Sequence, residues 1–304
     1  MELKRGQVAV VTGAASGIGY ALAEGFAQKG LNIVLADVQD DALAAAAERI
    51  GAHGVETLAV KTDVSKEDAV KALAQSTLDR FGAVHVVCNN AGVSGAGDPW
   101  FGPLASWEWV LGVNLWGVVH GVRAFLPHLL GGGHIVNTAS IAGLYPGFAP
   151  PYDASKHAVV AITESLYNAM TAAGLPVGVS CLCPGWVRTG ILDSDRNWPA
   201  ELGEKPAIDA VQEVTRGHVR RALDEGTTPA AVADFVLQTV ERNGFWVFPH
   251  DDFLEMVVHR WERIAEKLDP QPPEQTPGMP PRSQIMAEVM AAMEAMAAGG
   301  NAPA

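Results

Sequence analysis

The sequence predicts an α/β protein built on one doubly wound parallel sheet of about seven strands, with helices on both faces. Seven short runs rich in β-branched and aromatic residues recur along the chain, and stretches rich in Ala, Leu, Glu and Lys lie between them. Each run is nearly continuous in its apolar character, which is typical of a strand buried on both faces. The chain has 304 residues, of which 48% are hydrophobic, so it is long enough to bury such a core.

The predicted strands are separated by helix-forming stretches. They begin at residues 8, 32, 57, 84, 134, 177 and 244, with the sequences VAVVTG, NIVLAD, TLAVKTD, VHVVCNN, HIVNTAS, VGVSCLC and GFWVFP. The stretches ALAEGFAQKG and DALAAAAERI follow the first two strands, and Gly30 suits the position just after a helix C-terminus. This alternation predicts the Rossmann-type arrangement of the sheet.

Two regions depart from the alternation. We assign residues 1–250 to a single domain that includes an excursion over 190–228, which is polar, contains Trp198 and lacks a strand. Residues 251–304 form a helical C-terminal extension, made of a helix, the proline-rich arm DPQPPEQTPGMPPR and a Met/Ala-rich helix. Methionines at 286, 290, 293 and 296 give that last helix one apolar stripe, which we expect to pack on its own or a neighbouring subunit.

Charge and hydropathy exclude several classes of partner. The formal net charge is −13 and Lys and Arg do not cluster, which argues against nucleic acid or an anionic membrane as the main partner. The start, MELKRGQVAVVTG, lacks signal-peptide anatomy, and no apolar segment approaches the length that spans a bilayer. We therefore expect a cytoplasmic protein with no membrane partner.

The cysteines predict structural thiols. Cys88, Cys181 and Cys183 each lie inside an apolar strand-like run, and their number is odd. This pattern favours a reducing compartment over a disulfide framework. Because no second Cys or His pair lies at zinc-like spacing from the pair at 181 and 183, we expect no metal site.

A glycine-rich loop, TGAASGIG, follows the first predicted strand and opens the first predicted helix. Gly13, Gly17 and Gly19 permit a tight turn and let backbone N–H groups approach a pyrophosphate at the helix N-terminus. Alone such a loop is a weak signal, since many are only turns. Here the second strand ends in Asp37, at the offset of about 20 residues that is typical of a ribose-binding acid. We therefore expect a dinucleotide site.

Asp37 also predicts which dinucleotide binds. A carboxylate accepts hydrogen bonds from the adenosine ribose hydroxyls, whereas a 2′-phosphate would bring a like charge close to it. At about 4 Å and an effective dielectric constant near 20, such a pair of charges is worth roughly 4 kcal/mol. Ser16 and Val38 flank the place where a compensating cation would lie, and neither is basic. The sequence therefore predicts NAD.

Tyr152 and Lys156 lie one helical turn apart in PYDASKHAVV, so their side chains share a helix face. That spacing alone also fits a surface helix without any function. Further polar residues occur near strand ends: NNAG at 89–92 ends the fourth strand and Ser140 ends the fifth, while Asn114 lies in NLWG within a predicted long helix.

With these motifs the chain resembles the short-chain dehydrogenase/reductase family, in its NAD-dependent branch, from Gln7 to about Pro249. The features that match are TGAASGIG, Asp37, Asp63–Val64, NNAG, Asn114, Ser140, YDASK, and PGWVRT at Pro184–Thr189.

The resemblance implies an alcohol dehydrogenase or ketone reductase with a defined proton path. Tyr152 would be the general acid/base while hydride moves to or from the nicotinamide. Because a nearby cation favours the phenolate, we expect Lys156 to lower the pKa of Tyr152 below its ordinary value of about 10. Ser140 would hold the substrate oxygen, and Asn114 would support a water that links Lys156 to solvent.

The resemblance also implies the contacts of the cofactor. Asp63 and Val64 would flank the adenine, and PGWVRT would place the Val187 backbone and the Thr189 hydroxyl against the carboxamide. The expected cofactor residues are Gly13, Ser16, Gly17, Ile18, Gly19, Asp37, Asp63, Val64, Asn90, Ala91, Gly92, Tyr152, Lys156, Pro184, Gly185, Val187 and Thr189.

The family's fold does not determine its substrate, so we predict the substrate class from the residues that are expected to line the pocket. They are mostly apolar or aromatic and offer no Arg or Lys clamp for a phosphate; they comprise Ser94 and the residues to 100, Leu144, Tyr145, Phe148, Trp186, and residues 191–198. We expect a bulky apolar or aromatic secondary alcohol and its ketone. A loose similarity of the C-terminal region to dehydrogenases of lignin-derived aryl alcohols points the same way.

Two other functions remain open. A 3-oxoacyl thioester reductase would use the same residues, but such enzymes of the family usually take NADPH, which Asp37 disfavours. A non-catalytic NAD(H)-sensing protein would not need the set Asn114, Ser140, Tyr152 and Lys156. The resemblance further implies a homodimer, formed through the helices after Ser106 and Tyr152, or a homotetramer.

Overall fold

Seven parallel strands form one sheet in the computed structural model, which describes residues 1–147 and 149–299. The order across the sheet is β3-β2-β1-β4-β5-β6-β7, and every neighbouring pair is parallel. The strands are β1 Val8–Thr12, β2 Asn32–Asp37, β3 Thr57–Lys61, β4 Val86–Asn89, β5 Gly133–Thr138, β6 Val177–Leu182 and β7 Trp246–Val247. All seven correspond to the predicted runs.

Helices cover both faces of the sheet, as the doubly wound prediction requires. The helices are α1 Gly17–Gln28, α2 Asp40–Gly51, α3 Glu67–Phe81, α4 Ala105–Leu111, α5 Gly117–Phe125, α6 Pro150–Ala172, α7 Ala210–Asp224, α8 Pro229–Glu241, α9 Leu254–Ala265 and α10 Arg282–Gly299. Helix α1 packs against α2 and α8 on one face, while α3 packs against α5 and α4 against α6 on the other. Gly30 follows α1 with φ +87°, so the predicted left-handed helix end is confirmed.

Burial of the strands explains their sequences. Every residue of β1, β4, β5 and β6 is buried, which matches their nearly continuous apolar character. Strand β3 is different, because it lies at the edge of the sheet. Three of its five residues are half-buried, and the other two, Ala59 and Lys61, are exposed. The three cysteines are free and buried, two of them in β4 and β6, as expected.

The position of the site follows from the connectivity. From β1 the chain winds outward through β2 and β3, then returns to β4 on the other side of β1 and winds the opposite way. Loops that leave the carboxyl ends of β1 and β4 therefore diverge and leave a crevice between them, which is where such sheets bind ligands.

The excursion and the extension are helical. The excursion contains short 3₁₀ turns at Ile191–Asn197 and Ala200–Leu202 followed by α7, and an isolated bridge pairs Val187 with Thr227. Helix α10 packs on α7, where the His218 and Glu288 side chains lie 2.7 Å apart.

The methionine stripe of α10 does not pack on its own subunit. Met286, Met290, Met293 and Met296 are 41–52% exposed. The apolar contact of this region is made instead by Met279 and Ile285, which are buried against Ala222. Packing of the stripe on a neighbouring subunit stays a prediction.

One helical stretch, Ala105–His128, is long and apolar enough by length and composition to cross a membrane, with a mean hydropathy of 1.3. The expectation that no segment reaches that length was therefore wrong. The criterion also selects core helices of folded domains, and this stretch packs on α3 and α6 and contains the fully buried Asn114. It is weak evidence for a membrane span.

Candidate active site

A cavity of about 1060 Å³ opens at the carboxyl ends of the central strands. Every residue that the sequence assigned to the cofactor lines it, from Gly13 on the loop after β1 to Thr189 on the loop after β6. Ser140, Tyr152 and Lys156 lie in the same wall. The sheet thus brings together residues that are widely separated in sequence.

The glycine loop has the shape that a dinucleotide needs. Gly13 and Gly17 have φ values of +67° and +55°, a region that other residues rarely adopt. A Cβ on Gly19 would lie 2.0 Å from the Gly13 carbonyl oxygen, so only glycine fits where α1 meets the loop. The N-terminus of α1 therefore faces the cavity with free N–H groups and a positive dipole, which fits a pyrophosphate.

Asp37 is held rigidly at the end of β2. Its two carboxylate oxygens accept hydrogen bonds from the Ala15 and Gln39 N–H groups, each at 3.1 Å. A fixed carboxylate beside the glycine loop fits the ribose hydroxyls of a dinucleotide.

A cation that the sequence analysis missed lies nearby. Arg196 reaches from the excursion and donates from Nε to the Gln39 side chain at 3.1 Å. Its Nη1 donates to the carbonyl oxygens of Gly190 and Asp193, so the guanidinium is held by protein oxygens. Because Arg196 is far from Gln39 in sequence, only the fold reveals their contact.

Tyr152 and Lys156 lie in the first two turns of α6. The Lys156 ammonium is buried, donates to the Thr138 carbonyl oxygen at 2.8 Å, and lies 5.5 Å from the centre of the Tyr152 ring. Burial lowers the pKa of Lys156 to about 8. Burial likewise raises the pKa of Tyr152 to about 12, and a hydrogen bond with Ser140 opposes this rise.

The expectation that Lys156 brings the pKa of Tyr152 below 10 was therefore wrong for this structure. Its physical reason is that desolvation of the phenolate is the largest effect on this pKa, while the ammonium donates to the Thr138 carbonyl oxygen and lies 5.5 Å from the centre of the Tyr152 ring. Ser140 is held between the two ends of the site, because its hydroxyl donates to the Pro184 carbonyl oxygen at 3.3 Å and accepts from the Ala142 N–H at 3.1 Å.

Asn114 does not line the cavity. It lies in a π-helical turn, Gly112–Trp116, between α4 and α5, and is fully buried. Its side chain accepts from the Val93 N–H at 2.8 Å and donates to the Val93 carbonyl oxygen at 3.0 Å and to Ser155 Oγ at 3.2 Å. Asn114 therefore braces the loop after β4 against α6.

The predicted substrate positions divide into three groups. Ser94, Tyr145 and Trp186 line the cavity, and Ser94 is tied to the excursion through Ser194, with N–H to Oγ at 3.0 Å. Leu144 does not line the cavity, because it packs in the core against Val159 and Val160. Trp100, at the end of the range from Ser94, is 70% exposed and also lies outside the wall. Phe148 lies outside the described residues.

The excursion closes one side of the cavity, as expected. Trp198 packs edge-on against Trp109, with ring centroids 5.2 Å apart. Within residues 1–147 and 149–299, no three His, Cys, Asp or Glu side chains are grouped so that they would hold a metal ion.

Comparison with known proteins identifies the family. Residues 7–200 match the family model of the short chain dehydrogenases. The chain belongs to the short chain dehydrogenase family. It is therefore an oxidoreductase.

Individual relatives extend the match beyond that region. The chain is 47% identical over 187 residues to the 1-deoxy-11-beta-hydroxypentalenate dehydrogenase of Streptomyces avermitilis, covering 60% of this chain and 68% of the relative. It is 28% identical to the C alpha-dehydrogenase of Sphingobium sp. strain SYK-6, covering 87% of both chains. A solved short chain dehydrogenase/reductase from Burkholderia phymatum, in complex with NAD, shares 42% identity and superposes with a TM-score of 0.87, covering 91% of this chain and all of that one.

The C-terminal region of this dehydrogenase forms a further wall of the cavity, which the sequence analysis missed. The proline-rich arm, residues 271–281, and the start of α10 line the cavity through Pro272, Pro273, Glu274, Thr276, Met279, Pro280, Arg282 and Ile285. The Tyr145 hydroxyl donates to the Gln271 carbonyl oxygen at 3.1 Å, and Trp186 Nε1 donates to the Pro277 carbonyl oxygen at 2.7 Å. Composition predicted an extended arm, but no local signal in the arm says where it folds back.

Proposed function

We propose that the protein is an NAD-dependent dehydrogenase that interconverts a bulky apolar or aromatic secondary alcohol and its ketone. The observation that carries the proposal is the meeting of Ser140, Tyr152 and Lys156 in the wall of a cavity that continues to the glycine loop and Asp37. At about 1060 Å³ the cavity lies at the upper end of the range of roughly 300–1,000 Å³ typical of ligand pockets, which leaves room for a substrate beside a dinucleotide.

The cofactor end favours NAD. Asp37 presents a carboxylate whose position is fixed by two N–H groups, and this like charge disfavours a 2′-phosphate. The NAD complex of the Burkholderia phymatum relative supports the same choice. Held by the glycine loop and Asp37, NAD⁺ would supply the acceptor for the hydride that leaves the carbinol carbon of the alcohol.

The reaction end handles the proton. As the alcohol becomes a ketone, Tyr152, which burial keeps protonated, takes up the O–H proton of the alcohol while it releases its own proton toward Lys156 and solvent. The hydride and the released proton together account for the two electrons and two hydrogens lost. The Ser140 hydroxyl lies with Tyr152 in the cavity wall, and by turning away from the Pro184 carbonyl oxygen it can donate to the substrate oxygen as charge develops there. With its pKa lowered to about 8, Lys156 exchanges protons near neutral pH more readily than an ordinary lysine does.

The substrate end favours a bulky alcohol. Its wall combines aromatic and aliphatic side chains from three segments: Tyr145 from the loop after β5, Trp186 and Trp198 from the excursion side, and Met279 from the arm. The names of the Streptomyces and Sphingobium relatives describe dehydrogenases of a hydroxypentalenate and of a C alpha position. Both support an alcohol larger than a simple alkanol.

The test is the variant Tyr152→Phe, assayed by NADH formation with NAD⁺ and a panel of small, aromatic and polycyclic secondary alcohols. Removing the proton-transferring hydroxyl should lower kcat by at least about 10²- to 10⁴-fold, while NADH binding, followed by its fluorescence, stays intact. Tyr167→Phe is the matched control, because Tyr167 is partly exposed and lies outside the cavity. Undiminished turnover by Tyr152→Phe would exclude the mechanism, and NADH binding without turnover of any alcohol by the unaltered protein would favour a sensor.

A further inference from the structure

Within the described residues, one cationic side chain of the cavity wall has no hydrogen-bond or ion-pair partner. Among the residues that the structure describes, five cationic side chains line the cavity, namely Lys61, Lys156, Arg196, Arg216 and Arg282. The first four donate to protein oxygens: Lys61 to Asp40, Lys156 to Thr138, Arg196 to Gln39, and Arg216 to Leu192. The Arg282 guanidinium makes no hydrogen bond or ion pair within residues 1–147 and 149–299.

Arg282 lies at the substrate end of the cavity. It is the first residue of α10, and its backbone N–H donates to the Glu274 carbonyl oxygen at 2.7 Å, so the turn that presents it is fixed. Burial raises the pKa of Tyr145, and the charges of Arg260 and Arg282 oppose that rise, which places the guanidinium within electrostatic range of this wall residue. The neighbouring Met279 and Ile285 are buried and anchor the segment.

The Glu274 carboxylate is already engaged through one oxygen. Glu274 Oε1 accepts hydrogen bonds from the Ser283 N–H and the Ser283 hydroxyl, where it caps the start of α10. The Arg282 charge helps to lower the pKa of Glu274, but among the described residues the two side chains form no ion pair. A half-buried guanidinium in a largely apolar wall gains most from an oxyanion that accepts two parallel N–H bonds.

We propose that Arg282 binds a carboxylate of the substrate, so that the alcohol is a hydroxy acid with its carbinol at Tyr152 and its carboxylate at the C-terminal arm. The inference rests on the proposed function and narrows its substrate class. A carboxylate is favoured over a phosphate, because the acidic side chains of Asp153 and Glu274 line the same cavity and repel a dianion more strongly. The sequence analysis found no such clamp because Arg282 is remote from the pocket motifs.

The experiment compares hydroxy acids with their methyl esters. The probes are para-(alpha-hydroxyethyl)benzoic acid and its homologues with one, two or three methylenes before the carboxylate, each paired with its methyl ester. The series varies the distance between the carbinol and the carboxylate, so that one member can reach from Tyr152 to Arg282. For the best-fitting pair the unaltered protein should favour the acid, and Arg282→Met should lower kcat/KM for the acid by roughly 10- to 100-fold while changing the ester less than about 2-fold. The kcat/KM of Arg282→Lys for the acid should lie between the values of the unaltered protein and of Arg282→Met, since lysine keeps the charge but lacks the planar guanidinium that forms two parallel hydrogen bonds.

Binding is measured separately from turnover. In the presence of NADH, each acid should raise the melting temperature of the unaltered protein more than its ester does, and Arg282→Met should abolish that difference. Arg242→Met is the control, because Arg242 is exposed and lies outside the cavity. Esters oxidised without any preference for an acid, or an acid preference unchanged in Arg282→Met, would overturn this inference and leave the proposed function standing. A protein that binds NADH but neither oxidises nor binds any probe would overturn both.

Discussion

Charged Lys156 should reduce the stability of the folded protein. The residue is 3% exposed, and among the described residues its ammonium donates one hydrogen bond, to the Thr138 carbonyl oxygen at 2.8 Å. The pKa of Lys156 falls from its ordinary value of 10.5 to about 8 because burial disfavours the charged form. A pKa lowered in the folded state means that the unfolded chain binds the proton more tightly between these two values, so raising the pH through that window favours folding.

The magnitude follows from the two pKa values. Each pKa unit corresponds to about 1.36 kcal/mol, so the charged lysine destabilises the fold at pH 7 by roughly 3 kcal/mol relative to a high pH at which it is neutral. In Lys156→Met this pH-dependent part disappears. Loss of the bond to Thr138 costs about 1–3 kcal/mol at every pH, which offsets part of the gain. At pH 7, Lys156→Met should therefore be at least as stable as the unaltered protein. As the pH rises, the unaltered protein should become the more stable of the two.

The assay is urea unfolding, followed by tryptophan fluorescence at one protein concentration, at a series of pH values from 7 to about 10.5. The difference in unfolding free energy between Lys156→Met and the unaltered protein should shift by roughly 3 kcal/mol over this range, against the variant. Lys4→Met, at an exposed position, should show no such shift. A difference for Lys156→Met that stays constant with pH would refute the buried-ammonium reasoning, whatever its size at pH 7.

Two further predictions concern the cofactor end. Asp37→Ala should reduce the ratio of kcat/KM with NAD⁺ to that with NADP⁺ by about 10-fold or more, because the like charge against a 2′-phosphate is removed; an unchanged ratio would assign the discrimination elsewhere. Gly19→Ala should weaken NADH binding measured by fluorescence titration, since its Cβ would meet the Gly13 carbonyl oxygen at 2.0 Å, whereas Gly217→Ala, with nothing within 4 Å, should bind normally.

The strands and the glycine loop were predictable because their signals are local. A buried strand such as β1 needs a continuous apolar run, and the turn after it needs glycine where φ is positive, as at Gly13 and Gly17. The connectivity of the sheet then places the carboxyl ends of β1 and β4 side by side, whatever the side chains between them are. Asp37 follows from its position at the carboxyl end of β2, which pairs with β1.

Other features depend on contacts between distant segments, which leave no local signal. The hydrogen bond of Arg196 to Gln39 spans 157 residues, and that of Trp186 to Pro277 spans 91. The pKa of Tyr152 was predicted in the wrong direction for a related reason. Spacing on a helix shows that Lys156 is close, but only the packed environment shows that burial is the larger effect.

The family model matches the residues at the catalytic end of the cavity but not those of the arm at its other end. Ser140, Tyr152 and Lys156 lie within residues 7–200, which match the family model, whereas the arm and Arg282 lie beyond them. The residues that we propose to handle the reacting group therefore lie within the region that the family model matches, and the arm lies beyond it. The match to the family model thus supports the reaction of this chain more strongly than it supports a substrate, and variants of Arg282 and Met279 test the proposed substrate class directly.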